Sequence, residues 1–228
     1  MNSLIFLGSN TVLERYIEAC ERQSLTAVGI VDSDYYGNTD TIADLPVIDS
    51  FEGLEQNPDK YKNSVFFIAT NWNPLNPRDT EKRKSIIELV RRLNLTCASL
   101  IDPTSYVSRY TQIGQGVFVG SGATVEPRVK LDDFCNIGDQ VIVGHDSVIG
   151  ENTVLARNSG VHAKVGSHCY ISVHAFVWDH GGVTVGNNAM ISPSMWVKRN
   201  VADNEHVTLD KNAIRAYRNH YREAGNAN

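Results

Sequence analysis

The chain has 228 residues, of which 42% are apolar and 21% charged, and a formal net charge of −5. This is the composition of a soluble globular protein of one large or two small domains. The negative balance gives a nucleic-acid partner no electrostatic support, and no apolar run reaches the length of a membrane span. Cys20, Cys97, Cys135 and Cys169 show no CxxC spacing, and the start "MNSLIFLGSN" lacks the basic and long apolar segments of a signal peptide. The thiols therefore read as reduced, mostly buried groups of a cytoplasmic protein.

Residues 1 to about 100 alternate strands and helices. "LIFLG" is a short apolar run ending at Gly8, and "TVLERYIEACERQ" places Val12, Leu13, Tyr16, Ile17 and Cys20 at helical spacing. "AVGIVDSD" reads as a second strand ending in Asp32 and Asp34. "LPVIDSFEGLEQ" reads as a turn, a short strand and a helix start, and "SVFFIAT" as a third buried strand. "DTEKRKSIIELVRRLN" is an amphipathic helix with Asp79 or Thr80 as its cap, and "TCASLI" closes the unit as a strand. Such alternation predicts a small parallel sheet covered by helices.

After residue 100 the period changes to six. Ile101, Val107, Ile113, Val119, Val125, Leu131, Ile137, Val143, Ile149, Leu155 and Val161 form an unbroken aliphatic series. At the abundance of these residue types, chance gives such a run on the order of one time in ten million. Positions four later, from Ser105 to Ser159, are all small or slim, and glycine often follows a rung. One large and one small inward residue per side, with glycine relieving the corners, predicts a solenoid of very short stacked strands. Steps of four (Val161 to Val165) and eight (Val177 to Val185) break the period but cancel, so the coil continues through a tight corner and a bulge at "WDHGGVT". Beyond Val201 the ladder stops, and "LDKNAIRAYRNHYREAG" reads as a helix capped by Asp210.

The sextets "IGQGVF", "VGSGAT", "IGDQVI", "VGHDSV" and "IGENTV" resemble the hexapeptide repeat of the left-handed β-helix. The chain as a whole resembles the sugar O-acyltransferase/sialic acid O-acetyltransferase family, including N-acetyltransferases of UDP-4-amino sugars and perosamine. The segments that carry the likeness are "LPVIDSFEGLEQ", "FFIATNWNPLNPRDTEKRKSIIELV", "LIDPTSYVSRYTQIGQGVFVGSGATV" and "VGHDSVIGENTVL". The resemblance implies a Rossmann-like α/β domain over 1–100, a left-handed parallel β-helix over 101–204 and a helical tail over 205–228. It implies acetyl-CoA as cosubstrate without a metal, a nucleotide-linked amino sugar as acceptor, and a cytoplasmic homotrimer with active sites between subunits.

It also implies roles for residues. His145 is expected to be the general base that takes a proton from the attacking amine or hydroxyl, and Asp146 to orient its ring. Backbone N–H groups of the solenoid are expected to stabilise the oxyanion. Val161, His162, Ala163, Ser192 and Ser194 fall where the family contacts CoA, and Lys198 is a cation suited to the CoA phosphates. Gly8, Asp32 and Asp34 fall where it contacts the nucleotide. Three positions depart from the pattern near these sites. Gly144 replaces a polar residue before the base, Val154 replaces a second histidine, and "GSNTVL" replaces a glycine-rich loop.

Residue types alone leave alternatives open. The His-Asp pair also suits a solvated corner of a non-catalytic trimeric scaffold, and the same base would serve O-acetylation. His162, His168, His174 and His180 recur at intervals of six and evoke a metal site at a subunit interface. The spacing after His145 does not fit that arrangement, so the reading remains metal-free.

Overall fold

The computed structural model describes residues 3–70, 76–178 and 182–209. The N-terminal part contains β1 (Ser3–Leu7), α1 (Glu14–Arg22), β2 (Thr26–Val31), β3 (Thr41–Ile42), β4 (Leu45–Asp49), α2 (Phe51–Gln56), β5 (Ser64–Ile68) and α3 (Pro77–Arg92). The sheet order is β3-β4-β2-β1-β5. All pairs are parallel except β3 with β4. Leu4, Phe6, Ile30 and Phe67 bury one face of the sheet with Leu13, Tyr16 and Cys20 of the first helical segment. Ile5, Leu7, Val31, Phe66 and Ile68 bury the other with Ile86, Ile87 and Val90 of α3. Strands buried on both faces need the continuous apolar runs that the sequence shows.

Three local details differ from the expectations. The cap of α3 is Asn76, whose side chain accepts from the Arg78 N–H, and not Asp79 or Thr80. Proline at the first helical position suits a start three residues earlier. Val12 is exposed and precedes α1. "TCASLI" does not form one closing strand: Cys97 bridges to Phe66, while Leu100–Ile101 pairs with Phe118–Val119 in the solenoid.

From Leu100 to Val207 the chain winds through strands of two or three residues that stack into three parallel sheets of six, five and seven strands. Eighteen residues make one coil, as in the pairing of Val125 with Val143 and of Val143 with Val161. The next coil is shorter, pairing Val161 with Val177, and the following one longer, pairing Val177 with Val197. The two irregular steps thus cancel; residues 179–181 of the expected bulge lie outside the described residues, as do Asp210 and the rest of the expected helix. Every rung from Val119 to Val161 is buried, and Ile101, Val107 and Ile113 pack against the same core. The slim partners, from Val117 and Ala123 to Ser147, Thr153 and Ser159, are buried as well. All four cysteines are free and buried; burial pushes the Cys135 thiol up to about 12.

Corner geometry follows from the same arithmetic. Three residues after a rung the backbone is left-handed, at Arg128, Phe134, Gln140, Asp146, Asn152 and Asn158, each with φ between 52° and 62°. Asn and Asp are the non-glycine residues that tolerate this conformation best. Corners one coil apart therefore superpose in type, so Arg128 sits directly before Asp146.

The two parts are joined by polar contacts. Arg83 of α3 is buried and donates to Asn152 Oδ1 at 2.7 Å, to Phe134 O at 3.0 Å and to the carbonyls of Ile68 and Thr70. Arg15 pairs with Asp139 and Arg22 with Asp102. Among the described residues no helix is long and apolar enough to cross a membrane.

Candidate active site

The strand Ile142–Val143 ends at Gly144, and the chain turns a corner through His145 and Asp146. The corner takes both side chains out of the ladder, leaving them 53% and 52% exposed. His145 Nδ1 lies 2.6 Å from Asp146 Oδ2. That contact leaves Nε2 as the nitrogen facing outward chemistry. Arg128 grips the same carboxylate with two nitrogens, Nε at 2.6 Å and Nη2 at 2.8 Å. The Arg128 guanidinium, and after it the His145 ring, hold the Asp146 carboxyl well below the usual carboxylate range. Asp146 is thus an anion throughout the working range, able to fix the imidazole tautomer and stabilise an imidazolium. Glu126 completes the corner by accepting the His145 N–H at 2.8 Å.

A second imidazole stands beside the first. The His162 ring centroid is 4.7 Å from that of His145, and the Trp178 ring is 5.1 Å beyond, both in edge-to-face geometry. Gly144 makes this stack possible. A Cβ there would lie 3.0 Å from both Cβ and Cγ of His162, closer than a side chain tolerates without displacing the ring. The space that a side chain at 144 would take is thus held by His162. Sequence reasoning did not pair these residues, nor did it find Arg128, Glu126 or Trp178 as neighbours of the base. The signal was coil length: 144 and 162, and 128 and 146, are eighteen apart.

The other implied cofactor residues lie further along the solenoid. Val161 is a buried rung and Ala163 is buried, with its N–H donated to Ser147 Oγ. Ser192 shares a hydrogen bond with His206 Nε2 at 2.9 Å, and Ser194 occupies a left-handed corner. Lys198 lies over the Trp196 ring at 4.2 Å. His168 and His174 are corner residues; His168 contacts Asn152, and burial pushes its pKa down. His180 lies outside the described residues. Among the described residues no group of three or more His, Cys, Asp or Glu gathers as a metal site.

The three implied nucleotide residues come together in the N-terminal part. Gly8 ends β1 with φ 74°, and a Cβ there would meet Thr70 Cγ2 at 2.2 Å, so both backbone and space require glycine. Asp32 is wholly buried; it accepts from Ser9 Oγ, from Lys82 Nζ at 2.8 Å and from the Asp34 N–H. Its oxygens are committed to the fold, so contact with a ligand falls to Asp34. Lys82, whose pKa is raised by its pairing with the two aspartates against the opposing effect of burial, also holds Asp34 at 2.7 Å. Beside them opens a cleft of about 620 Å³ lined by Ser9, Asn10, Asp34, Arg78 and Lys82. A smaller cleft of about 200 Å³ lies between Asn10, Arg15 and Tyr16 and the solenoid residues Asn136, Val154 and Tyr170. Thr70 lines both clefts, and its buried Oγ1 has no partner among the described residues.

Outward residues differ between the solenoid sheets. One sheet presents Gln112, Lys130, Val148, Lys164 and Thr184. Another presents Tyr106, Thr124, Ile142, Gly160, Phe176 and Trp196, of which the four large apolar residues are exposed.

Comparison with known proteins adds the fold relationship. No family model matches the chain, and no curated protein matches it. Among solved structures, PerB from Caulobacter crescentus, in complex with CoA and GDP-perosamine, matches with TM-score 0.77 at 22% identity, covering 89% of this chain and 92% of that one. The acetyltransferase domain of PglB from Neisseria gonorrhoeae, in complex with acetyl coenzyme A, matches with TM-score 0.57 at 20% identity, covering 92% and 100%. WeeI from Acinetobacter baumannii matches with TM-score 0.50 at 14% identity, covering 92% and 98%. These neighbours are hexapeptide-repeat proteins, and the solenoid of this chain shares their left-handed β-helix fold.

Proposed function

We propose that the chain is an acetyl-CoA-dependent N-acetyltransferase acting on the amino group of a nucleotide-linked amino sugar. The observation that carries this reading is the His145–Asp146 pair, held 2.6 Å apart and half exposed on a corner of the β-helix. The acceptor nitrogen attacks the thioester carbonyl while His145 Nε2 takes its proton, and the imidazolium later protonates the departing thiolate of CoA. Asp146, ionised by Arg128, stabilises the imidazolium between these steps. The likeness to PerB and to the PglB domain, whose structures hold CoA or acetyl coenzyme A, supports the choice of acyl donor. Val161, His162, Ala163, Ser192, Ser194 and Lys198 are the proposed CoA contacts.

The N-terminal part, 1–100, is proposed as a Rossmann-like nucleotide-sugar domain, with Gly8 and Asp34 at the ligand and Asp32 fixing Lys82 behind them. The cleft beside Asp34, and the orphaned hydroxyl of Thr70 where it meets the solenoid, support that placement. The solenoid, 101–204, is proposed as the acyltransfer domain and 205–228 as a tail. The exposed Tyr106–Ile142–Phe176–Trp196 face supports a homotrimer with active sites between subunits, and the protein is proposed to work in the cytoplasm.

Release of CoA thiol from acetyl-CoA, measured with UDP-, dTDP- and GDP-linked amino sugars and their hydroxyl analogues, tests the reading. Turnover with amines alone, giving a product stable to mild base, is expected. Turnover with hydroxyl analogues alone would make the enzyme an O-acetyltransferase. No turnover and no CoA binding by calorimetry would leave a scaffold.

A further inference from the structure

An oxyanion formed at this corner needs a hydrogen-bond donor, and the five backbone N–H groups nearest the base in sequence or one coil on are already engaged among the described residues. The Gly144 N–H donates to Val161 O at 2.7 Å, His145 N–H to Glu126 Oε2 at 2.8 Å and Asp146 N–H to Pro127 O at 3.2 Å. Ser147 N–H donates to Gly144 O at 3.3 Å, and Ala163 N–H to Ser147 Oγ at 3.2 Å. These five N–H groups are therefore already engaged within the described residues. Two carboxylates, Glu126 and Asp146, also sit at the corner, so developing negative charge there needs a compensating donor all the more.

One group is free to act. His162 is 8% exposed, and its ring makes no hydrogen bond among the described residues. Neither ring nitrogen belongs to the fully enclosed polar atoms without a partner. Trp178 on one side and His145 on the other fix the ring, and Gly144 keeps its seat open. The carbonyl oxygen is bonded to the same carbon that the acceptor nitrogen attacks. It therefore forms close to the His145 nitrogen that takes the proton, and the His162 ring is the neighbouring imidazole, 4.7 Å away between centroids.

We infer that His162 is a catalytic residue that donates a ring N–H to the thioester carbonyl oxygen of acetyl-CoA as it becomes an oxyanion; this rests on the proposed acetyl transfer with His145 as base. In the step, the acceptor nitrogen lone pair forms the new C–N bond and the C=O π pair moves to oxygen. His145 accepts the proton lost by nitrogen. Collapse restores C=O, breaks the C–S bond and passes that proton from His145 to the thiolate. His162 keeps its own proton throughout. Its assignment thereby moves from a general CoA contact to the reacting carbonyl.

Two substitutions test this against simple packing. His162→Phe keeps a ring between His145 and Trp178 but removes the donor; His162→Gln restores a donor without the ring. The expected result is a kcat lowered about a hundredfold or more in the Phe variant. KM for both substrates and CoA affinity by calorimetry should stay within about threefold, and the Gln variant should recover at least about tenfold of the loss. Gly144→Ala, which pushes on the ring, is expected to lose kcat in parallel. A Phe variant with kcat within about threefold of the parent, or one that loses CoA affinity at unchanged kcat, overturns the inference. A fully active His145→Ala enzyme would instead overturn the base assignment. An inactive His145→Ala enzyme beside an active His162→Phe enzyme removes only the role given to His162.

Discussion

Two strands of this molecule end in an aspartate held by a cation, with opposite outcomes. After Val143 the chain turns a coil corner, and Asp146 with its Arg128 partner stays half exposed. After Val31 the chain enters the layer between sheet and α3, and Asp32 disappears from solvent while its Lys82 partner stays partly exposed at the cleft. The partner of Asp146 lies one coil back, eighteen residues away, at the same corner position. That of Asp32 lies fifty residues on, in another element. Repetition fixes where a corner side chain points without burying it, so a coil can carry chemistry on its surface. A layered sheet and helix hold the acid by enclosing it, which turns it into structure.

The sharpest way to break this contrast is to remove each acid. Asp32→Ala takes a buried acceptor from Ser9 Oγ and the Asp34 N–H and leaves the partly exposed Lys82 ammonium with Asp34 alone. A loss of about 1–3 kcal/mol in denaturant unfolding is expected. Asp146→Asn should leave the unfolding midpoint unchanged, because its ion pair is open to water. It should instead lower kcat about ten- to a hundredfold through loss of the imidazolium's counter-charge. If both acids changed stability alike, the distinction between presented and enclosed acids would fall.

Arg128→Gln probes the corner more finely. With the guanidinium gone, Asp146 loses the bidentate contact that fixes it against the His145 ring. kcat should fall about three- to tenfold, less than in Asp146→Asn, with CoA affinity by calorimetry unchanged. A loss as large as that of Asp146→Asn would contradict a merely orienting role for Arg128. Asp34→Ala gives the corresponding test in the N-terminal cleft. It should raise KM for a nucleotide-linked acceptor about tenfold while leaving KM for acetyl-CoA and the fold unaffected. The smallest effect expected is from Lys198→Ala, a loss of CoA affinity of about threefold by calorimetry.

The same contrast explains what could be read from sequence. The rungs from Val119 to Val161 lie in the core as the period of six requires, and even the short step at Val161 and the long one at Val177 cancel. Inward position in a coil depends only on count, and count is visible in a string of letters. The N-terminal part depends on tertiary pairing, which is not. The β3–β4 hairpin turns through Ala43 and Asp44, both with positive φ, without the glycine that usually announces such a turn. Arg83 looks like a residue of a solvated helix face, yet it is buried because four carbonyl and amide oxygens from distant segments converge on it. At the candidate site, His145 and Asp146 stood out as a pair because they are adjacent. Arg128, and the place of His162 beside the base, entered only through the length of a coil.

The central claim is that the exposed corner pair performs general-base acetyl transfer to an amino sugar. The most direct measurement is kcat of His145→Ala against the parent, with acetyl-CoA and the best nucleotide-linked amino sugar, beside CoA affinity by calorimetry for both proteins. The account predicts a loss of about a hundred- to ten-thousandfold in kcat with CoA affinity unchanged. A variant that turns over at the parent's rate would contradict it.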